Sequence, residues 1–508
     1  MSFPNPRLRV PTATKSRCIP RIHGQFFERF RRGLASVAFA IGGCALTIAG
    51  LPATARAGQT SDGTAEVPDS SVNQFLPKAE NARTPVREGA ILLQDNPDAS
   101  GRTLGKAAAT GNAGALGDWF GVKPKKKLRE LGIEVSALDI NEAGLIYSGG
   151  KRSSPAVAGQ FMLTFDADMA KLAGMPGGRV RFGINRRYGV GLDPHAGLRT
   201  LQPTIEVHGR GNVLRLTTLW YEQSFAGDTV RWKIGRSNPG EDFATFSCDF
   251  MNVTFCGSQP TEILDRYWVA SPISMWSTRV RVQMRALYAQ IGAYEINPRN
   301  LDERFSLGHL HGATGVLIPV EAGWTHGGNG DGLVGVVKVG AFVSTADQPD
   351  ALLDKDHRPV PLTGQAALLR EGSSGFYLSI EQQVTGRTAN GQAISGVTLF
   401  FNGTKGDRRT ARIEDQMSFG MFLCGLFAPR DTIGLAVGRT HINPRFAETE
   451  RLSGREAPRS EYAVEFNYKM RPVTWLAIQP SLQWVKHAGG YQSSKNVAFA
   501  GVKTVLTF

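Results

Sequence analysis

From Ile133 to the C-terminus the sequence alternates between apolar and polar residues with a period of two. Successive side chains of a β-strand point to opposite faces, so this pattern predicts strands with one apolar face and one polar face. Five segments carry it most clearly, residues 161–168, 179–185, 213–221, 230–235 and 278–285. In the third segment the apolar face is predicted to hold Leu214, Leu216, Thr218 and Trp220. The chain from Ile133 onward is therefore predicted to be all-β.

Clusters rich in glycine, with proline, asparagine or aspartate in several of them, separate these segments, at residues 175–178, 327–332, 403–407 and 489–490. Such clusters are typical of turns between strands. No long amphipathic helix interrupts the pattern, which argues against a doubly wound α/β fold. Beyond the N-terminal region no apolar run reaches the ~18–20 residues of a membrane-spanning helix, so the sequence also excludes a helical transporter.

Arginine recurs on the polar face of these strands, and the last strand alternates up to a C-terminal aromatic residue, Phe508. A soluble β-sandwich also alternates, but its polar face simply meets water. A final strand that ends on an aromatic residue is typical of outer-membrane barrels, whose apolar face contacts lipid. We therefore predict a transmembrane antiparallel β-barrel. The alternative is a soluble edge strand that ends in phenylalanine.

The arginines of these strands are predicted to face the lumen, because an arginine at mid-depth on the lipid face would cost about 2–4 kcal/mol. Two aspartates on the same face are predicted to serve as hydrogen-bond acceptors. The predicted pore-lining residues are Arg179, Arg181, Arg279, Arg281, Arg285, Asp166 and Asp168. The alternative is that these charges only solvate the pore and form salt bridges.

Residues 1–57 predict a secretory signal peptide. A basic segment at 1–32 precedes an apolar run at 33–51, and Ala55-Arg56-Ala57 supplies a cleavage signature, so cleavage is expected after Ala57. A lipoprotein cleavage box at Cys44 and an uncleaved membrane anchor are the alternatives. The segment holds nine Lys/Arg and one Glu, and subtracting this +8 from the chain's +14 leaves +6. That remainder is too small and too dispersed to indicate nucleic-acid binding.

Residues 58–115 are rich in small and polar residues without a period, and they are predicted to form a disordered leader. A short basic amphipathic stretch at 125–131 predicts one or two helical turns before the first strand. The expected organisation is a signal peptide at 1–57, a leader at 58–115 and a barrel domain at 116–508.

Several ordered blocks between residue 117 and Phe508 resemble the carbohydrate-selective porins of Gram-negative outer membranes, the OprB family. The blocks are 117–121 (GDWFG), 216–223 (LTTLWYEQ), 234–243 (IGRSNPGEDF), 292–298 (GAYEINP), 315–321 (GVLIPVE), 475–484 (WLAIQPSLQW) and 501–508 (GVKTVLTF). The chain departs from the family pattern in its longer leader, at Phe120 and in an arginine-rich stretch at 404–412.

The resemblance implies sixteen strands, whereas the sequence alone allows about fourteen to eighteen. It also implies passive, carbohydrate-selective diffusion of sugars such as monosaccharides into the periplasm, without catalysis or a cofactor. The implied partners are the sugar, outer-membrane lipid and the barrel-assembly machinery, which would contact the C-terminal strand that ends in Phe508. A non-conducting secreted β protein is the alternative, either a barrel receptor or a soluble carbohydrate-binding sandwich.

Cys248 and Cys256 lie in a non-alternating segment with seven residues between them. We predict that they form a disulfide in the oxidising periplasm; two independent thiols are the alternative. Cys424 is predicted to be a small buried residue of a strand. His309 and His311 are spaced for one strand face, but no third ligand is evident, so no metal site is predicted. No catalytic motif is found, and no enzymatic activity is predicted.

The arginines are predicted to determine selectivity. Replacing Arg279 and Arg281 by alanine is expected to leave the barrel folded, since lumen substitutions change selectivity more than stability. Block of the current by sugars should weaken, and the cation-to-anion permeability ratio should rise. If neither changes, the determinant is to be sought in the loop at 241–259.

Overall fold

The structure, a computed structural model, describes residues 123–508 except 154, 210, 247, 259–267, 303–304, 328–331 and 390. The predicted signal peptide, the predicted leader and the 117–121 block lie outside the described residues. Within the described part of the chain, no helix is long and apolar enough to cross a membrane.

The strands follow the predicted alternating segments. In chain order they are β1 (Ile133–Ser148), β2 (Ala156–Asp168), β3 (Gly178–Gly189), β4 (Val213–Phe225), β5 (Val230–Ser237), β6 (Met275–Met284), β7 (Leu287–Ile296), β8 (Gly315–His326), β9 (Gly335–Ser344), β10 (Gln348–Asp354), β11 (Ala367–Arg370), β12 (Ser373–Gln383), β13 (Thr388–Ala389), β14 (Gln392–Ala393), β15 (Gly396–Lys405), β16 (Ile413–Cys424), β17 (Thr432–Ile442), β18 (Ser460–Val473), β19 (Leu476–Lys486) and β20 (Val497–Thr507).

Sixteen of these strands form one closed antiparallel barrel, in which β1 pairs with β2 on one side and with β20 on the other. The remaining four strands form two separate hairpins, β10–β11 and β13–β14. The predicted sixteen-stranded all-β barrel is therefore confirmed. At this strand number a barrel encloses an aqueous channel instead of a core filled by side chains.

Helices in the described residues are short and are not part of the barrel wall. They are α1 (Lys123–Glu130), α2 (Met169–Ala173), α3 (Leu192–Ala196), α4 (Pro239–Asp242), α5 (Val360–Thr363) and α6 (Pro444–Leu452), with 3-10 helices at Val253–Phe255, Pro298–Leu301, Ser306–Gly308 and Ala488–Gly490. Helix α1 covers most of the basic stretch for which helical turns were predicted.

The two faces of the barrel wall differ as the alternation predicts. In β7, Leu287 and Ile291 are exposed on the outer face, whereas Tyr288 and Gln290 are buried on the inner face. The outer face of the barrel is apolar and the inner face carries the charged side chains, as in outer-membrane barrels.

Connection lengths distinguish the two ends of the barrel. At one end, residues 285–286 join β6 to β7 and residues 474–475 join β18 to β19; β1 begins and β20 ends at this same end. The other end carries the long connections 190–212, 238–274, 345–372 and 443–459. Since outer-membrane barrels have short periplasmic turns and longer extracellular loops, the first end is periplasmic and the second extracellular.

A β-bulge in β4 corrects one sequence-based prediction. Gly183 of β3 pairs with Thr218, but the next residue, Ile184, pairs with Leu216, so Thr217 is the extra residue of the bulge. An extra residue reverses which side chains face inward. Trp220, predicted on the apolar outer face, is therefore buried on the lumen side.

Two extracellular connections fold back into the barrel. The first joins β3 to β4 over residues 190–212, and we call it the β3–β4 loop; the second joins β5 to β6 over residues 238–274, and we call it the inner loop. They touch each other where the Val253 backbone N–H donates to the Pro203 carbonyl at 3.0 Å. The described residues of these two loops include segments that lie in the lumen and narrow the channel.

Candidate functional site

The inner loop is hydrogen-bonded to inward-facing side chains from opposite sides of the barrel. The Ala244 N–H donates to Glu321 of β8 at 2.8 Å, and the N–H groups of Met251 and Asn252 donate to Glu465 of β18 at 2.9 and 2.7 Å. Buried backbone N–H groups need acceptors, and the wall carboxylates supply them. Further anchors join Thr245 to Lys338, Asp249 to Lys469 and Thr254 to Gln416.

Glu321 is itself held by two tyrosines. The hydroxyls of Tyr288 and Tyr377 each donate to this carboxylate at 2.8 Å. The Tyr288 ring lies flat against the wall because residue 323 is glycine: a Cβ there would come within 2.2 Å of the ring. The close approach that Gly323 permits therefore fixes the carboxylate that binds the inner loop.

The middle of the inner loop is an apolar cluster closed by a disulfide. Phe250 packs on Phe255 with ring centroids 5.5 Å apart, and it contacts Phe400 and Phe422 of the wall at 5.9 and 5.4 Å. The structure pairs Cys248 with Cys256, whose Cα atoms are 4.2 Å apart. Aromatic packing and the covalent link make this segment a fixed obstacle in the channel.

The β3–β4 loop is also held by hydrogen bonds and an ion pair to charged side chains of the barrel wall. Glu142 of β1 accepts the N–H groups of Glu206 and Val207 at 2.6 and 3.2 Å. Glu461 of β18 accepts the Leu201 N–H at 2.7 Å, and Lys503 of β20 binds the Glu206 carboxylate at 2.7 Å. Both loops are thus tied to buried wall charges rather than left free in water.

Arg179 and Arg181 of β3 meet Asp166 of β2. The Arg181 Nε lies 2.7 Å from the carboxylate and the Arg179 Nη2 lies 3.5 Å from it. The Arg181 guanidinium also stands over the Trp220 ring, 5.1 Å from its centroid. The side chains of Arg179, Arg181 and Asp166 keep 30%, 13% and 14% of their surface exposed, so water in the channel reaches all three.

Arg279 and Arg281 of β6 are only 1% exposed. The Arg279 guanidinium lies 2.5 Å from Glu222 of β4 and 3.5 Å from Asp242 of the inner loop. The Arg281 guanidinium stacks on Tyr288 at 3.7 Å from the ring centroid and donates to the Gln283 side chain at 3.0 Å. Both arginines face inward as predicted, but neighbouring groups cover them.

Arg285 lies beyond the inward-facing row of β6, whereas Asp168 is the last residue of β2 and pairs with Arg179. Arg285 is exposed in the two-residue periplasmic turn after β6, with φ +53°. Asp168 ends β2 and caps helix α2 by accepting the Ala170 N–H at 3.0 Å. The expectation that Arg285 continues the inward-facing row of β6 is wrong, because β6 ends at Met284. Asp168 is still part of β2, opposite Arg179, but its carboxylate serves as a helix cap.

The other sequence-based site predictions have mixed outcomes. Cys424 is buried in β16, as predicted. His309 is buried whereas His311 is exposed, so the two side chains do not share one environment. In the described part of the chain the one group of metal-type ligands is Glu206 with Cys248 and Cys256. The two sulfur atoms of that group are joined to each other, which leaves a single carboxylate and no ligand set for a metal.

The extracellular loops outside the lumen are clamped by one aspartate. Asp350 of β10 binds Arg370 of β11 at 2.7 Å and Arg445 of helix α6 at 2.5 Å. Burial acts to raise the pKa of Asp350, but hydrogen bonds from the Leu353 and Leu352 N–H groups and from both guanidiniums hold it below the usual aspartate value. The clamp joins the connection before β12 to the connection before β18.

Comparisons with known proteins agree with this geometry. Residues 152–508 match the carbohydrate-selective porin, OprB family. This chain belongs to the OprB family. It is 33% identical to Porin B of Pseudomonas aeruginosa over 419 residues, which cover 77% of this chain and 91% of that protein. It is 28% identical to the putative porin QuiX of Acinetobacter baylyi, over 77% of this chain and 92% of that protein.

The fold is similar to a solved member of the family. The high-pH structure of Pseudomonas putida OprB superposes with a TM-score of 0.72 at 30% sequence identity, covering 77% of this chain and 97% of the other. The protein is accordingly an outer-membrane porin that allows passive, carbohydrate-selective diffusion. Its similarity to porins indicates a channel rather than an enzyme.

Sequence reasoning missed the acidic cluster that this OprB-family porin builds beside its arginines. Lys233 of β5 lies 2.6 Å from Asp242 and 3.5 Å from Glu241, and the Trp220 indole N–H donates to Glu241 at 2.9 Å. The two acids sit on helix α4, which Asn238 caps by accepting the Glu241 N–H. The sequence Asn-Pro-Gly-Glu-Asp at 238–242 is typical of a helix start and carries two acids. No feature of the neighbouring sequence indicates that this helix folds into the barrel.

Proposed function

We propose that sugars diffuse passively through this porin along a path between the inner loop and the wall formed by β2, β3 and β4. The observation that carries the proposal is the partial exposure of Arg179, Arg181 and Asp166 on this wall, where most other inward-facing charges are buried. The guanidinium forks donate to ring hydroxyls and the carboxylate accepts from them. Such contacts favour small hydroxyl-rich solutes such as monosaccharides.

Arg279 and Arg281 take a different part in the proposal. Side chains that are only 1% exposed offer almost no surface to a passing solute. We propose that Arg279 holds Asp242 and with it the start of the inner loop, so that it sets the width of the path without touching sugar. Arg281, stacked on Tyr288, supports the tyrosine that positions Glu321.

Two further partners are proposed from the family resemblance and from the outer surface. The exposed apolar residues of the barrel's outer face would contact outer-membrane lipid. The C-terminal strand, where the Phe508 N–H donates to the Ala137 carbonyl at 2.9 Å, would be the element that the barrel-assembly machinery binds before the barrel closes. Residues 1–57 would serve as the export signal and be removed after Ala57.

The proposed function is tested by inserting the purified porin into a planar lipid bilayer and adding monosaccharides. We expect stepwise conductance. Monosaccharides should block part of the current, and a disaccharide of similar polarity should block a different fraction of it. Clean insertions that stay silent would instead support a non-conducting receptor barrel and would contradict the proposal.

A further inference from the structure

We propose that the outer wall between β6 and β12 carries a binding groove for one phospholipid of the periplasmic leaflet, with Arg285 as the contact for its phosphate. The inference concerns the lipid side of the barrel and does not depend on which solute passes inside. It rests on the shape of the outer surface, on the depth of the groove in the membrane and on the position of one cation.

The groove is formed by small side chains between larger ones. Ala289 of β7 pairs with Ala322 of β8, and the flanking strands place Val282 and Val339 beside them in the same row. Phe376 of β12 lies in the next row toward the extracellular end of the barrel. Together they line a shallow groove of about 640 Å³ that is open to the outside of the barrel, a volume within the range of ~300–1,000 Å³ that small-molecule sites occupy.

The depth of the groove fits an acyl chain of the periplasmic leaflet. Val282 precedes Arg285 by three residues, and a strand rises about 3.3 Å per residue, so the groove begins ~10 Å above the periplasmic turn. Met284 and Leu287, both exposed, fill the outer face between the groove and the turn. A polar solute would gain nothing in a groove with this lining, because its hydroxyl groups would lose water without finding partners.

The cation at the foot of the groove suits the phosphate of such a lipid. The guanidinium of Arg285 is exposed and has no partner among the described residues, while its backbone carbonyl accepts from Gln283 at 2.8 Å. Arginine at a membrane interface attracts anionic lipid head groups. Trp324 of β8 is exposed on the outer face at the same level, where indole rings anchor at the interface.

Charge complementarity at the periplasmic end favours phospholipid over a second copy of this chain. A phospholipid brings an acyl chain to the groove and a phosphate to Arg285 in one molecule, whereas a second barrel would have to place its apolar outer face and a carboxylate of a periplasmic turn, such as the exposed Asp228, there together. A glycolipid of the extracellular leaflet would place its phosphates at the opposite end of the barrel, on the side of the long loops.

Native mass spectrometry of the delipidated porin, titrated with phosphatidylglycerol in detergent, tests the proposal. The double variant Ala289→Leu/Ala322→Leu fills the groove, and Ala498→Leu/Ala500→Leu adds the same bulk on the outer face of β20. Arg285→Gln removes the cation, and Arg430→Gln removes an exposed arginine from a different periplasmic turn. Single-channel conductance of each variant shows that the barrel is intact.

We expect one lipid to bind the wild-type porin and both control variants with equal affinity. The groove-filled variant should bind it about tenfold more weakly, since the lost apolar contact corresponds to one or two methylenes. Arg285→Gln should weaken binding several-fold, less at high salt. Equal binding by all variants, or a dimer that disappears only when the groove is filled, would overturn the proposal.

Discussion

The tripeptide Arg-Val-Arg occurs twice in this barrel, at 179–181 in β3 and at 279–281 in β6. Both copies point their arginines inward. The first copy meets Asp166 of the neighbouring strand and stays partly exposed, whereas the second is only 1% exposed, with Arg279 held by Glu222 and by Asp242 of the inner loop. The same three residues therefore line the channel in one place and support its internal loop in the other.

The comparison shows that the side of the barrel wall on which an arginine lies and the function of its side chain are determined separately. The period-two pattern fixes the face, because a charged side chain on the lipid side is too costly. The role depends on whether a distant segment folds over the strand. In β6 that segment is helix α4, whose Asp242 comes within 3.5 Å of Arg279.

The largest expected effect follows from replacing Arg279. In Arg279→Met, the carboxylates of Glu222 and Asp242 lose a buried partner, and breaking such a pair costs about 3–5 kcal/mol. We expect the barrel to assemble but to unfold at a lower temperature, measured by the heat-dependent shift of its mobility in a detergent gel. The substitution of Arg279 and Arg281 together should therefore reduce stability as well as alter selectivity.

Arg181→Met is the matched control for that variant. Arg181 and its partner Asp166 keep 13% and 14% of their side-chain surface exposed, so water compensates part of the lost ion pair and the loss should be smaller than that for Arg279. Equal destabilisation by the two substitutions would contradict the distinction between a supporting and a lining arginine.

A smaller effect is expected from opening the disulfide of the inner loop. Replacing Cys248 and Cys256 by serine leaves both arginine pairs unchanged and removes a link worth about 2–3 kcal/mol in chain entropy. The loop should then fluctuate, which would appear as added current noise at an unchanged mean conductance. Cys424→Ala, which removes a buried thiol outside the loop, is the control and should leave the noise unchanged.

The smallest effect concerns the extracellular clamp at Asp350. Its pKa is lower in the folded protein, so its contribution to stability is full above the usual aspartate pKa of ~3.9 and is lost as the pH falls through the lowered value. Acidification should increase proteolysis of the extracellular loops in the wild type. Arg445→Gln, which removes one partner of Asp350, should be cleaved faster at neutral pH and show a weaker response to acid.

The barrel could be predicted from the sequence because its pattern is local. The alternation predicted the strands and the inward orientation of Arg279. It failed for Trp220, because the β-bulge at Thr217 reverses the faces of β4 there. Strand ends are less certain, which is why Arg285 was placed one step too far along its row. The inner loop was not predictable, because its anchors, such as Glu465 with the Met251 N–H, join residues more than 200 positions apart.

The central claim is that the β3 arginines contact the solute, and sugar block of the single-channel current tests it most directly. We would compare the wild-type porin with Arg179→Gln/Arg181→Gln in a planar bilayer at increasing monosaccharide concentration. We predict that the variant inserts as a folded barrel with only a small loss of stability, that sugar block weakens several-fold and that the cation-to-anion permeability ratio rises. Unchanged block and unchanged ion selectivity in this stable variant would contradict the claim.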